Sequence, residues 1–423
     1  MVEYGLIGER LGHSYSKTIH ELLLPDYHYD LLPMNPAEFA EFMKARKFKG
    51  LNITFPYKKD ILDYIDGFNE DVITAGDAIN TVAWKCHETL GEKMLIGYNT
   101  DYYGFLYTLR KREIAVRGKK VLIFGAGGAG SAVAGALRTE NAGEIVHVTR
   151  HADSENNIIT LETAEKLHAD AEILVNATPV GMYPNVHEKA FDLGAFPSAE
   201  TVIDIVYNPL RTEVLLDAKE RGLRGVDGLL MLVAQAAFAV NIFKDIELPE
   251  AKIDEVYEKV LRDTQNIALI GMPASGKSTI AKMLAEKTGK RLVSTDELIE
   301  RRACKSVAEI FADTGETAFR ALETEVLRET AIETGLVIDC GGGIVKNAEN
   351  VRELKRNSML VYIDRAPELL VSKDGKRPLL RSLADAKKLY AERHELYRTV
   401  ADVRVENNGD EFGVAANKLM SKE

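Results

Sequence analysis

Two glycine-rich turns, each between a short apolar run and a helical pattern, constrain this chain more than anything else in it. Val121-Leu122-Ile123-Phe124 runs into Gly125-Ala126-Gly127-Gly128-Ala129-Gly130, and Ile267-Ala268-Leu269-Ile270 runs into Gly271-Met272-Pro273-Ala274-Ser275-Gly276-Lys277-Ser278. A strand, a glycine turn and a helix N-terminus form the arrangement in which backbone N–H groups and the helix dipole meet a phosphate. Gly125, Gly127 and Gly130 have the spacing of a dinucleotide pyrophosphate turn, with Gly128 inside it. Gly271, Ala274, Gly276, Lys277, Ser278 and Thr279 have that of a nucleoside-triphosphate loop, in which the lysine holds the β/γ-phosphates and the serine a Mg²⁺. The chain therefore predicts an oxidoreductase module followed by a phosphoryl-transfer module.

Its 423 residues leave room for two or three domains with their own cores. Basic residues number 54 and acidic ones 65; before Thr264 the counts are 28 and 40, from there on 26 and 25. This balance offers no basic footprint and predicts no nucleic-acid partner. The three cysteines, Cys86, Cys304 and Cys340, have no metal-ligand spacing, which points to a reducing cytoplasm. No basic segment followed by an apolar core opens the chain, and no apolar run is long enough to cross a bilayer, so a soluble protein without a membrane partner is expected.

The pattern predicts an α/β protein throughout. Residues 1–102 read as a small α/β domain, with a strand at Tyr4–Gly8 and a helix at Ala37–Arg46. Residues 103–263 read as a doubly wound parallel sheet, with strands at Val121–Phe124, Ile145–Val148, Ile173–Asn176 and Val202–Ile205. An apolar helix at Leu229–Ile242 is long enough to pack across both, and a charged amphipathic helix at Pro249–Asp263 closes the module. Residues 264–423 restart the alternation, with strands at Ile267–Ile270, Val337–Cys340 and Met359–Ile363 and a polar stretch at Ser372–Lys376.

Four polar stretches precede the first glycine turn: Gly8 to Ser16, Leu51 to Lys58, Ala78 to Thr81 and Gly97 to Asp101. Ser14 and Ser16 can both donate to one carboxylate, and Asn52 and Thr54 share a strand face just before Lys58. With the glycine turn, these stretches closely resemble shikimate dehydrogenase over residues 1 to about 262, Asn-x-Thr-x-Pro-x-Lys and Asn-Thr-Asp being the specific signatures. The resemblance implies an α/β substrate domain followed by a Rossmann NADP domain. It also implies that Ser14 and Ser16 hold the substrate carboxylate, that Thr54, Asn80, Tyr207 and Gln235 complete the substrate site, and that Lys58 and Asp101 form the catalytic pair. Thr178, Gly228 and Met231 would line the nicotinamide side. Thr149 and Arg150, where an NAD-specific fold usually carries an acid, favour a 2′-phosphate and hence NADP.

After the second turn come Asp296, Gly315 to Arg320, Gly341-Gly342-Gly343, Arg377 and Arg393 with Leu396-Tyr397, an order similar to that of shikimate kinase from about residue 266 onward. The resemblance implies a P-loop domain using ATP and Mg²⁺, with Arg320 and Arg393 clamping a carboxylate and Gly342 offering a backbone N–H. Asp296 would face the reacting hydroxyl and Arg377 would come from a lid. Ser294 departs from the family, which usually has a carboxylate there for the Mg²⁺ outer shell. Asp339, where the family commonly has serine, is the expected substitute. The joint reading is reduction of 3-dehydroshikimate to shikimate and its phosphorylation to shikimate 3-phosphate. A quinate/shikimate dehydrogenase with a regulatory, weakly active or inactive kinase-like domain is the alternative, and the oligomeric state stays open.

Overall fold

Three sheets carry the chain. In the computed structural model, which describes residues 2–12, 14–76, 78–86, 92–153, 155, 157–370 and 382–409, two compact units separate at Val260 and Leu261. The first contains two sheets and the second one.

The first sheet comprises β1 (Val2–Gly8), β2 (Tyr29–Pro33), β3 (Phe48–Ile53), β4 (Gly67–Phe68), β5 (Thr81–Cys86) and β6 (Lys93–Tyr98), ordered β2-β1-β3-β5-β6-β4. β1, β2 and β3 are parallel, whereas β5 runs antiparallel to both β3 and β6. The C-terminal ends of β1, β3 and β6 thereby meet the start of β5 at one edge. The helix Pro36–Ala45 starts one residue before the expected Ala37, because Asn35 and Glu38 form a capping box around Pro36, and it ends as Arg46 turns left-handed (φ 51).

The second sheet, β7 (Lys120–Phe124), β8 (Glu144–Thr149), β9 (Ile158–Thr160), β10 (Ile173–Asn176), β11 (Thr201–Asp204) and β12 (Arg224–Val226), is wholly parallel in the order β12-β11-β10-β7-β8-β9. This is the doubly wound dinucleotide-binding topology, with the first glycine turn directly after its central strand β7. Buried apolar runs make these strands, since a parallel sheet is covered on both faces.

Small residues let the two halves of the first unit close on each other. A Cβ at Gly135, in the helix Gly128–Thr139, would lie 2.4 Å from the Thr74 carbonyl oxygen, and one at Gly128 would lie 3.0 Å from the Ala78 Cβ. The helix Leu229–Lys244 is apolar on nearly every side and buried accordingly. It lies on the helix Thr100–Lys111, where a Cβ at Gly104 would come within 2.7 Å of the Met231 carbonyl oxygen, and it ends with Phe243 seated over Gly50.

In the second unit, β13 (Asn266–Ile270), β14 (Arg291–Ser294), β15 (Leu336–Asp339), β16 (Ser358–Asp364) and β17 (Val403–Glu406) form a parallel sheet in the order β14-β15-β13-β16-β17. The triphosphate-type loop follows the central strand β13, and the register sets Ser294 directly beside Asp339. Among the described residues, no helix is long and apolar enough to cross a membrane.

Candidate active sites

The polar edge of the first sheet is organised around the start of the helix Thr100–Lys111. Asn99 caps it by accepting from the Tyr102 N–H, which leaves Asp101 in the first turn, where the helix dipole favours a carboxylate. Lys58, just past β3, donates from Nζ to Asp101 Oδ2 at 2.5 Å, with both side chains partly open to solvent. A Cβ at Gly128 would lie 3.4 Å from Lys58 Cδ, so the lysine passes the N-terminus of the dinucleotide-type helix. Asn80 is buried; its Oδ1 accepts from the Thr100 N–H at 2.7 Å and its Nδ2 donates to Thr100 Oγ1 at 3.0 Å. Thr100 Oγ1 donates in turn to Gln235 Oε1 at 3.2 Å. The Lys58–Asp101 pair and the Asn80–Thr100–Gln235 set are therefore neighbours at the start of one helix, Thr100 and Asp101 being adjacent residues.

Ser14 Oγ donates to Ser16 Oγ at 3.0 Å, so the two hydroxyls meet at the start of the helix Ser16–Leu23. Tyr15 between them lies 5.4 Å, ring to ring, from Tyr207, whose phenol burial pushes up to about 12. Thr54 lies just past β3, its methyl against Gly8. Asn52, though on the same face, is buried: it accepts from the Tyr29 hydroxyl at 2.7 Å and donates to Thr81 Oγ1 at 2.9 Å, so it braces the sheet.

The first glycine turn has the shape a pyrophosphate needs. A Cβ at Gly130 would lie 2.4 Å from the Gly125 carbonyl oxygen, and Gly125 (φ +116) faces the Ala177 carbonyl, whereas nothing lies within 4 Å of a Cβ at Gly127. The turn is tight where the chain meets itself and bare where a ligand would lie. His147, not expected from the sequence, is hydrogen-bonded through Nδ1 to the Gly125 carbonyl at 2.9 Å, and burial lowers its pKa. Thr149 Oγ1 donates to the His151 carbonyl at 2.5 Å and Arg150 is exposed beside it. Thr178 Oγ1 donates to Asn176 Oδ1 at 2.6 Å, its methyl over Gly125. A Cβ at Gly228 would collide with the Ile205 carbonyl at 2.0 Å, and Met231 joins the core of the second sheet.

The second unit gathers its groups around Gly341-Gly342-Gly343, after β15. A Cβ at Gly341 would lie 2.6 Å from Asp296 Oδ1, one at Gly343 2.4 Å from Arg320 Nη2, and one at Gly342 2.9 Å from Pro273 of the phosphate-type loop. Arg393 donates from Nη1 to the Gly342 carbonyl at 3.1 Å, and the Tyr397 hydroxyl donates to the same oxygen. Asp296, Arg320, Gly342 and Arg393 are thus brought together, whereas Arg377 lies outside the described residues. Protein crowding Asp296 raises its carboxyl; Lys277 opposes this, Asp339 and Glu300 add to it, and Arg320 opposes it.

Glu323 is a site residue that sequence reading missed. It is buried, its Oε2 accepts from Arg320 Nη1 at 2.8 Å, and burial raises its carboxyl against the pull of Arg320. Asn350 donates to the same Oε2 at 3.2 Å. In the phosphate-type loop, Gly271 (φ +148), Ala274 (φ +67) and Gly276 (φ +96) turn the backbone, and Lys277 Nζ donates to the Gly271 and Met272 carbonyls at 3.1 and 3.0 Å. Ser278 and Thr279 are exposed in the first turn of the helix Lys277–Thr288.

Two families match the chain. The one described as "Shikimate dehydrogenase substrate binding domain" covers residues 6–82, and "Shikimate kinase" covers residues 273–422. The shikimate dehydrogenase (NADP(+)) of Clostridium perfringens is 34% identical over 271 residues, covering 61% of this chain and 97% of that protein. A solved chorismate mutase/shikimate 5-dehydrogenase fusion from Clostridium acetobutylicum aligns with a TM-score of 0.56 at 33% identity, over 62% of this chain and 97% of its own. The Thermus thermophilus shikimate 5-dehydrogenase, solved in complex with NADP(H) and shikimate, aligns with a TM-score of 0.53 at 30% identity, over 61% and 99%.

Proposed function

The chain belongs to the shikimate dehydrogenase family and carries a shikimate kinase domain behind it, a bifunctional shikimate-pathway enzyme, and from that premise we propose how its residues divide the work. We assign residues 1–102 to substrate binding, 103–263 to NADP binding with the closing helices, and 264–423 to the kinase.

The dehydrogenase step rests on one observation above all, the Lys58–Asp101 pair beside Gly128, next to Thr100 with its partners Asn80 and Gln235. Ser14 and Ser16 take the carboxylate of 3-dehydroshikimate, and Thr54, Asn80, Tyr207 and Gln235 the rest of the ring. NADPH, when bound along Gly125, Gly127, Gly128 and Gly130, supplies the hydride. As the ketone carbon receives it, the carbonyl electron pair moves to oxygen and Lys58 Nζ gives that oxygen a proton. Asp101 holds the Lys58 amine in place, so that developing negative charge meets a preorganised donor. Thr149 and Arg150 receive the 2′-phosphate, and Thr178, Gly228 and Met231 border the nicotinamide.

In the kinase step ATP would lie on Gly271, Ala274, Gly276, Lys277 and Thr279, Ser278 and Asp339 would hold the Mg²⁺ that offsets phosphate charge, and the shikimate oxygen takes the γ-phosphoryl group as its bond to the β-phosphate oxygen breaks and ADP leaves. Arg320 and Arg393 clamp the carboxylate of shikimate, the first steadied by Glu323 and the second by the Gly342 carbonyl. Asp296 orients the attacking hydroxyl and takes its proton, and Arg377 steadies charge on the moving phosphoryl group. Three free cysteines fit a reducing cytoplasm as the setting.

Lys58→Ala tests the assignment. Its kcat for 3-dehydroshikimate reduction is expected to fall about 10²- to 10⁴-fold with kinase activity in the same chain unchanged. Full reduction by Lys58→Ala would remove Lys58 from the chemistry.

A further inference from the structure

Beneath the Gly271–Ser278 loop lies a contact from outside its motif. Asn407, the first residue past β17, is 3% exposed, and its Nδ2 donates to the Ser275 carbonyl at 2.7 Å. Its own N–H donates to the Asp364 carbonyl at the end of β16, also at 2.7 Å. The same strand end meets the loop's first residue, since a Cβ at Gly271 would lie 2.5 Å from the Ile363 carbonyl oxygen. The ends of β16 and β17 thus form a floor under the loop.

A peptide unit is planar and trans, so the Ser275 carbonyl and the Gly276 N–H point in opposite directions. Holding the carbonyl against Asn407 turns the Gly276 N–H away from the floor, the side left for phosphate oxygens. Gly276 (φ +96) is a glycine, which takes positive and negative φ about equally, so its own preference does not fix this plane and an outside contact does. A carboxamide suits the place because it donates to the carbonyl without bringing a charge, whereas an apolar side chain would leave a buried carbonyl without its donor.

We infer that Asn407 is a positioning residue for the kinase reaction: it sets the Ser275–Gly276 peptide so that the Gly276 N–H meets the nucleotide phosphates. The inference rests on reading this loop as the ATP site.

The test uses the full chain, with the dinucleotide site saturated by NADP⁺, and measures binding of Mg²⁺–ADP by calorimetry alongside kinase kinetics without NADP⁺. Asn407→Leu is expected to weaken ADP binding and raise the KM for ATP about 10-fold, with the KM for shikimate held within about two-fold. Asn407→Thr, which keeps a donor on a shorter stem, is expected to fall between Asn407→Leu and the parent. ADP affinity equal to the parent's in both variants overturns the inference. An equal rise in both KM values, with Thr no better than Leu, also overturns it, since that marks general damage to the domain. Absence of ADP binding in the parent itself would instead remove the reading of the loop, a result distinct from parent binding that the variants share.

Discussion

Asp204 shows how a single buried carboxylate couples the dehydrogenase loops to pH. Its Oδ1 accepts from the Val206 N–H and Asn176 Nδ2, both at 3.0 Å, and its Oδ2 from Thr212 Oγ1 at 2.6 Å. Burial pushes the carboxyl up to about 7 against these hydrogen bonds, with Asp227 adding to the rise. The folded value lies above the unfolded 3.8, so the group's contribution to stability is fully present below 3.8 and is lost as pH rises through 7. Asp204→Asn keeps an acceptor for the Val206 N–H and cannot ionise. Thermal melts between pH 4 and 8 are expected to depend less on pH for this variant than for the parent; equal slopes would show that Asp204 does not titrate in that range. At the kinase site, Asp339 beside Ser294 is the proposed replacement for a missing carboxylate. Asp339→Ala is expected to raise the Mg²⁺ concentration needed for half-maximal kinase activity about 10-fold or more, as a lost ligand charge would. An unchanged Mg²⁺ titration would refute the exchange. The pairing of Lys58 with Asp101 was legible because their signatures are rare and ordered. Glu323 and Asn407 were not, because a lone glutamate in a helix and an asparagine after a strand match ordinary surface and turn usage until the fold buries them.

Among the elements, the helices Thr100–Lys111 and Leu229–Lys244 set the dehydrogenase geometry. Their close approach depends on Gly104, where a Cβ would lie 2.7 Å from the Met231 carbonyl and 2.9 Å from Gln235 Cβ. Gly104→Val must push the helices apart, which displaces Thr100 from Gln235 and Asp101 from Lys58. It is expected to cost about 2–4 kcal/mol of stability, as overpacking against backbone does, and to lower dehydrogenase activity more than kinase activity. Equal activities and an unchanged melting temperature would show that the helix pair tolerates separation. The central strands β7, β10 and β13 were readable as unbroken apolar runs between turn signals, which a buried parallel sheet requires. β14 and β17, which edge the kinase sheet, were not, since Arg291, Arg404 and Glu406 interrupt the apolar pattern on their solvent sides. The predicted strands at Val202–Ile205 and Val337–Cys340 each begin and end one residue earlier, at Thr201–Asp204 and Leu336–Asp339, and the observed ladders stop at Asp204 and Asp339.

At the scale of the molecule, a shikimate dehydrogenase is followed by a shikimate kinase domain, so the two chemistries meet in one compound, the hydroxyl created by the first being the one the second phosphorylates. That order was legible in the motifs, and the resemblance also implied that Asp296, Arg320, Gly342 and Arg393 meet around one substrate; what only the parallel sheet shows is how closely they pack on the triple-glycine turn, since they come from positions nearly a hundred residues apart. The central claim is that both activities reside in this single polypeptide. Its most direct test supplies purified protein with 3-dehydroshikimate, NADPH and Mg²⁺, follows NADPH oxidation, and then adds ATP while monitoring product. NADPH oxidation followed by ATP-dependent formation of shikimate 3-phosphate is the predicted result; oxidation with no phosphorylated product after ATP addition would contradict it.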